Sequence, residues 1–165
     1  RNYRGLLQRI GGDDVPRRAQ VEALSRELRD KRSDPVIRRA LRDKRPLKPD
    51  EIERMVEGYR RKSLKLRSET IARTEALHSV HAGRNESMMQ AVTSGAVDRR
   101  DIERQWNTGR DGRQRPAHNE LHKTIIGFGE VYQNSIGPIA HPGDRSADAS
   151  NVINCRCIET FRIKG

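Results

Sequence analysis

Along the first ninety residues, apolar positions recur at intervals of three and four, the spacing of a helix face. Residues 1–14 show no clear period and close on Gly11-Gly12-Asp13-Asp14, which reads as a loose lead-in. Asp14 is placed to cap a helix that carries Pro16 in its first turn, with Val21, Leu24 and Leu28 on one face through about Lys31. Ser33-Asp34-Pro35 restarts the signal, and Val36, Ile37, Ala40 and Leu41 form a second stripe that Pro46 closes. Pro49-Asp50-Glu51 opens a third helix, on which Ile52, Met55, Val56 and Tyr59 share a face. From Ser68-Glu69-Thr70-Ile71 a longer helical pattern runs through Ala72, Glu75, His78 and Ala82 to about Val92, where Ser94-Gly95 ends it.

Beyond that point the period shortens. Ile102, Arg104 and Trp106 alternate with polar neighbours, as in a half-buried strand. Residues 107–112 form a turn-rich loop, and Pro116 opens a short helix through Lys123. Residues 127–132 and 152–163 read as strands, separated by a loop over 135–150 rich in Gly, Pro, Asp and Ser. The expected fold class is α+β: an N-terminal helical arm of several helices over 1–67, then a small α+β domain with a short β-sheet over 68–165.

Composition narrows the picture. Charged residues make up 35% of the 165 and aromatic residues only 4%, with a mean hydropathy of −0.95. Ordinary domains carry about 25% charged residues, so a modest core and a large solvated surface are expected. The net charge of +11 is uneven. Residues 1–70 hold 21 Lys/Arg against 12 Asp/Glu, and residues 71–165 the remaining 13 against 11. A basic arm ahead of a nearly neutral domain points to a polyanion or an acidic protein surface. Few aromatics lie among the basic residues, so any DNA contact is expected at phosphates and without sequence preference. No stretch has the roughly 18 apolar residues of a membrane span, and two cysteines one residue apart make no secreted disulfide framework. The first residue is Arg, which is expected of a segment of a longer polypeptide.

The second half carries an ordered constellation: Glu75 within Arg73-Thr74-Glu75 on the long helix, Trp106 on a strand, then Asp111, Arg115 and His118, then Pro142-Gly143-Asp144, and finally Asn154-Cys155-Arg156-Cys157. Over about residues 70–158 this order resembles the phage Mu F-like head-morphogenesis domain. The resemblance implies a minor capsid protein of a tailed bacteriophage, a structural assembly factor without catalytic residues. Such a protein is built into the virion head in few copies near the portal vertex and acts in head assembly, genome packaging or delivery. The implied partners are the portal protein and the major capsid protein, with assembly in the host cytoplasm. One departure from the family pattern is that Leu121 is followed by His122 and Lys123 where members often place a glycine. With eight residues after Cys157, no fused toxin or enzyme domain is expected within these 165 residues.

Two further readings concern chemistry. His118 and His122 are four apart, so a helix presents both on one face. Cys155 and Cys157 are two apart, so a strand does the same for their thiols. Two Cys and two His make a tetrahedral set for a structural zinc ion. Against this, the Cys-x-Cys spacing is tighter than the usual zinc knuckle. The plainer expectation is that both cysteines are small buried hydrophobes, with His118 bonded to Asp111 or to backbone. A disulfide between them requires a strained, very small loop. The trio Asp111, Arg115 and His118 has a structural reading, as charge-assisted bonds that hold a loop, and a competing one, with Glu75 nearby, as a metal-dependent or His-based nuclease with His118 as general base. The structural reading is favoured, because the sequence supplies neither a nucleophile with its own base nor a run of carboxylates for Mg²⁺. Trp106 is expected as a core anchor, Pro142-Gly143-Asp144 as a turn, and His78 and His81 as surface or packing residues.

Overall fold

A computed structural model describes residues 2–11, 17–109 and 112–164. The cap expected at Asp14 with Pro16, and the motif residue Asp111, lie outside the described residues. The chain divides into two compact units, Arg1–Ser68 and Glu69–Gly165, and the class is α+β.

The first unit is helical: α1 (Tyr3–Leu7), α2 (Arg17–Ser25), a 3₁₀ turn (Lys31–Ser33), α3 (Asp34–Arg42) and the beginning of α4 (Pro49–Thr93). The segment expected as a loose lead-in contains α1. Tyr3, Leu6, Leu7 and Ile10 stand at i, i+3, i+4 and i+7, and all four are buried with Ala23, Ile37, Ala40, Leu47, Ile52 and Met55. The Asn2 side chain accepts from Arg4 N at 3.0 Å and starts the helix. Tyr3 stacks on Tyr59, with ring centroids 4.6 Å apart. Two forked ion pairs fix the turns: Arg29 holds Asp34 at 3.0 Å on both oxygens, and Arg45 holds Glu51 at 2.9 and 3.0 Å. Glu51 also accepts from Lys48 N at 2.8 Å, so it caps the start of α4.

The two helices expected over 49–59 and 68–92 are one helix, α4. Residues 60–67 lack an apolar stripe, but they contain no proline and are mostly Arg, Lys and Leu, which are strong helix formers. Helix α2 is shorter than expected. It ends at Ser25, and Asp30 restarts the chain by accepting from Arg32 N at 3.2 Å.

The second unit takes the remainder of α4, a 3₁₀ turn (Arg99–Asp101), β1 (Ile102–Asn107), α5 (Pro116–Glu120), β2 (Ile125–Gly127), β3 (Tyr132–Gln133), β4 (Pro138–Ile139), α6 (Ala149–Val152) and β5 (Ile158–Ile163). An antiparallel sheet has the order β2-β1-β5, with Trp106 opposite Glu159 and Arg104 opposite Phe161. The expected alternation on β1 is present: Ile102, Arg104 and Trp106 are buried and their neighbours are not. The strand expected over 127–132 is divided. A turn at Gly127–Glu130, in which Glu130 accepts from Gly127 N at 2.7 Å, separates β2 from the short β3–β4 pair. The strand expected from residue 152 begins later, because Asp148 caps α6 by accepting from Ser150 N at 2.8 Å. The core of this unit is Trp106, Leu121, Tyr132, Ile139, Val152, Cys155 and Cys157. Among the described residues no helix is long and apolar enough to cross a membrane.

Candidate metal centre

Helix α5 is five residues long, begins at Pro116 and buries Ala117 and His118. The segment between α6 and β5 buries Cys155 and Cys157 on the phase that continues to Glu159. These two pieces bring His118, Cys155 and Cys157 together, with their ligand atoms within 4.8 Å of one another. His118 Nδ1 lies 3.5 Å from Cys155 Sγ and 3.4 Å from Cys157 Sγ. Trp106 packs edge-on against the imidazole, with centroids 5.4 Å apart. His122, the second histidine of the expected zinc set, is absent from this cluster. Its Nδ1 accepts from Thr108 N at 3.2 Å and lies 3.0 Å from Thr108 Oγ1, at the end of β1. The physical reason is that α5 ends at Glu120, so the i, i+4 face that pairs two histidines does not extend to residue 122.

The tautomer of His118 is set by a chain of hydrogen bonds. The backbone N–H groups of Ile136 and Gly137 donate to Asn134 Oδ1 at 2.9 and 3.1 Å, which fixes the amide of Asn134. Asn134 Nδ2 then donates to Asn151 Oδ1 at 3.1 Å. His118 Nε2 lies 2.9 Å from that same oxygen, so Nε2 carries the proton. The lone pair of Nδ1 therefore faces the two sulfurs. Burial lowers the His118 pKa, but hydrogen bonding and charge at Cys155, then Asn151, outweigh it and raise it. Cys155 is the thiol held below its usual range, by the hydrogen bond from Cys157 and then by His118, against burial. Cys157 is pushed up by that same bond and by burial. The hydrogen bond expected from His118 to Asp111 lies outside the described residues.

The other motif residues join loops to α4. Arg73 Nη1 donates to Asn154 Oδ1, and Asn154 N donates to Thr74 Oγ1 at 3.0 Å. Glu75 pairs with Arg145. His78 Nδ1 lies 3.0 Å from Gly143 O, and His81 is fully buried. Gly143 has φ +83°, and a Cβ there meets His78 N at 3.0 Å, so glycine allows both the turn and the approach to the helix. The expected turn at Pro142-Gly143-Asp144 is closed by Asp144, which accepts from Ala140 N, Ser146 N and Ser146 Oγ at 2.7–2.9 Å. Burial raises the Asp144 pKa, yet those bonds, led by Ser146, hold it below the usual carboxylate range. Arg115 donates to Ile153 O. Arg156 lines a cavity of about 120 Å³ together with Arg113, Gln114, Arg115, Asn154 and the three clustered ligands.

Sequence reasoning did not identify Asn134 and Asn151, for which no motif signal exists, or the buried pair Arg104–Glu159. Arg104 Nη1 lies 3.3 Å from Glu159 Oε1, and both side chains are essentially inaccessible. Tyr132 OH donates to Glu159 at 3.1 Å, and Arg104 also donates to Ala140 O at 3.1 Å and to Glu130 O. The alternation Cys155, Cys157, Glu159 was the available signal for Glu159.

This geometry offers two chemistries: a soft ligand set for a divalent metal, or a hydrogen-bonded latch between α5 and the start of β5. His118 is buried, one ring nitrogen is committed to Asn151, and the other faces thiols. It is not poised as a general base toward a phosphodiester.

The family model described as Phage Mu protein F like protein matches residues 19–160. The match reaches well upstream of the motif-bearing half, into α2, and takes in α3 and the whole of α4. No curated protein and no solved structure gives a significant match. The chain belongs to the Phage Mu protein F like family, a family of structural phage head proteins.

Proposed function

We propose that this protein is a minor capsid component of a tailed bacteriophage, seated at the portal vertex and acting in head assembly or in packaging and delivery of the genome. The observation that carries the reading is the family match over 19–160, which covers most of both units. The arrangement of the motif residues supports it. Arg73, Glu75, Gly143 and Asn154 brace loops against a helix, and Asp144 closes the turn that presents Gly143. The partners on this reading are the portal protein or the major capsid protein. The exposed basic run Arg60, Arg61, Lys65 and Arg67 gives a surface for DNA phosphate contact without sequence preference. Such contact predicts DNA binding that weakens steeply with added salt.

The test is quantitative mass spectrometry of purified mature particles and procapsids, with copy number scaled to portal and major capsid protein. A few copies per particle supports the reading. Absence from both particle types refutes it and brings a DNA-binding role outside the head to the front.

A further inference from the structure

We propose that His118 Nδ1, Cys155 Sγ and Cys157 Sγ bind a structural Zn²⁺ ion in the second unit, with an oxygen donor from the adjoining cavity in the fourth position and without His122. Zinc–sulfur bonds of about 2.3 Å and zinc–nitrogen bonds of about 2.0–2.1 Å place tetrahedral ligands about 3.6 Å apart. The two observed nitrogen–sulfur separations, 3.4 and 3.5 Å, are close to that edge. On these two edges the ligands need only small shifts to close on an ion, and all three ligand atoms lie within 4.8 Å of one another.

The histidine is prepared for the role. A metal-binding imidazole characteristically donates its other ring N–H to an oxygen acceptor, which fixes tautomer and ring plane. Asn151 provides that acceptor, and Asn151 is itself oriented through Asn134 by the backbone of Ile136 and Gly137. The relay presents the Nδ1 lone pair to the sulfurs.

The hydrogen-bond accounting also favours an ion. One Nδ1 lone pair accepts from one thiol only. Two N–H donors share the core with the sulfurs: Cys157 N, 3.4 Å from Cys155 Sγ, and the indole of Trp106, which packs in the same cluster as both cysteines. Trp106 Nε1 is buried and has no hydrogen-bond acceptor in bonding geometry among the described residues. Thiolates are better acceptors than thiols, so metal-bound sulfurs match both donors. Two buried thiolates without a cation are costly, and a divalent ion cancels their charge. The cavity supplies the remaining position, because Gln114 lines it and its Oε1 is buried without a partner among the described residues. Two sulfurs and one imidazole, with no carboxylate in the cluster among the described residues, select zinc over magnesium or calcium. The site fastens α5 to the start of β5, so the ion stabilises the second unit.

The test uses the whole chain purified under reducing conditions in zinc-supplemented medium. Elemental analysis is expected to give one zinc per chain, and removal by a chelator is expected to lower the melting temperature reversibly. Titration of the metal-free protein with Co²⁺ is expected to give intense tetrahedral visible bands and a near-ultraviolet thiolate charge-transfer band, with protection of both thiols from alkylation. Cys155→Ser and Cys157→Ser lose that band, whereas His122→Ala keeps stoichiometry and spectrum. Asn151→Ala weakens Co²⁺ binding by about 10–100-fold with the same spectrum, and Asn151→Asp restores affinity. The wild-type Co²⁺ titration does not depend on whether the cysteine variants fold. A folded wild-type chain with no zinc above the buffer blank and no sulfur-to-cobalt band overturns the site. Loss of metal in a folded His122→Ala variant overturns the ligand set.

Discussion

The buried pair Arg104–Glu159 permits a sharp test of how the second unit is held together. Glu159 is met from four sides: Arg104 at 3.3 Å, Tyr132 OH at 3.1 Å, Asn85 Nδ2 at 3.4 Å, and the positive influence of His141. Burial nevertheless dominates and raises its pKa. Replacing Glu159 by Leu leaves the guanidinium, among the described residues, with the backbone carbonyl acceptors Ala140 O and Glu130 O, and leaves the hydroxyl of Tyr132 without its acceptor. Removing one member of a buried pair costs about 3–5 kcal/mol. Replacing Arg104 by Met leaves a carboxyl that can take up a proton. The sign follows from the raised pKa: the unit's penalty for ionised Glu159 grows as pH rises through its folded value and vanishes below its unfolded value. The Arg104→Met loss therefore shrinks as pH falls, and the Glu159→Leu loss does not shrink for this reason. The double variant, which puts apolar groups in both positions, is expected to be far more stable than the sum of the single losses, with a coupling of at least about 2 kcal/mol. The assay is urea unfolding followed by fluorescence of Trp106, the only tryptophan, which is fully buried in the same core. Additive single losses at pH 7, within about 0.5 kcal/mol, refute the reasoning.

In the first unit, the bonds from Arg45 hold Glu51 at about 2, below the ordinary 4.5. Its contribution is thus complete above pH 4.5 and disappears as pH falls toward 2, so the gap in urea midpoint between wild type and Glu51→Gln, read by far-ultraviolet circular dichroism, closes over that window. Gly143→Ala is expected to cost about 1–3 kcal/mol for the left-handed backbone, with a further loss from the contact at His78. Gly95→Ala, where φ is +74° and nothing lies within 4 Å, is the control, and equal losses show that the close approach is unimportant. Trp106→Ala empties the centre of the sheet core and is expected to cost about 3–5 kcal/mol. Thermal melting by circular dichroism checks it, and an unchanged melt rules out the core-anchor role.

Legibility in the sequence tracked the range over which each feature is determined. The alternation of β1, the stop at Ser94-Gly95 and the turn at Pro142-Gly143-Asp144 depend on neighbouring residues, and all three are in the structure. Helix α1 had the same legibility, since Tyr3, Leu6, Leu7 and Ile10 carry a full helical face. Its brevity and the glycines that follow hid it. The unbroken α4 was missed for a different reason: residues 60–67 are helical by propensity alone, and an apolar stripe is a sign of burial, which a helix does not require. The cluster at His118 was half visible. Cys155 and Cys157 share a strand phase, and that phase extends to the buried Glu159. His118 lies in the cluster, whereas His122 does not, because the i, i+4 face that would pair them requires α5 to extend beyond its last turn. What no local pattern contains is the relay from Ile136 and Gly137 through Asn134 and Asn151, because those residues meet only when the loop before β4 folds against α6. That relay decides which nitrogen of His118 faces the sulfurs. The chemical character of the cluster is therefore a property of tertiary structure, although every atom that contacts a sulfur is recognisable by type in the sequence.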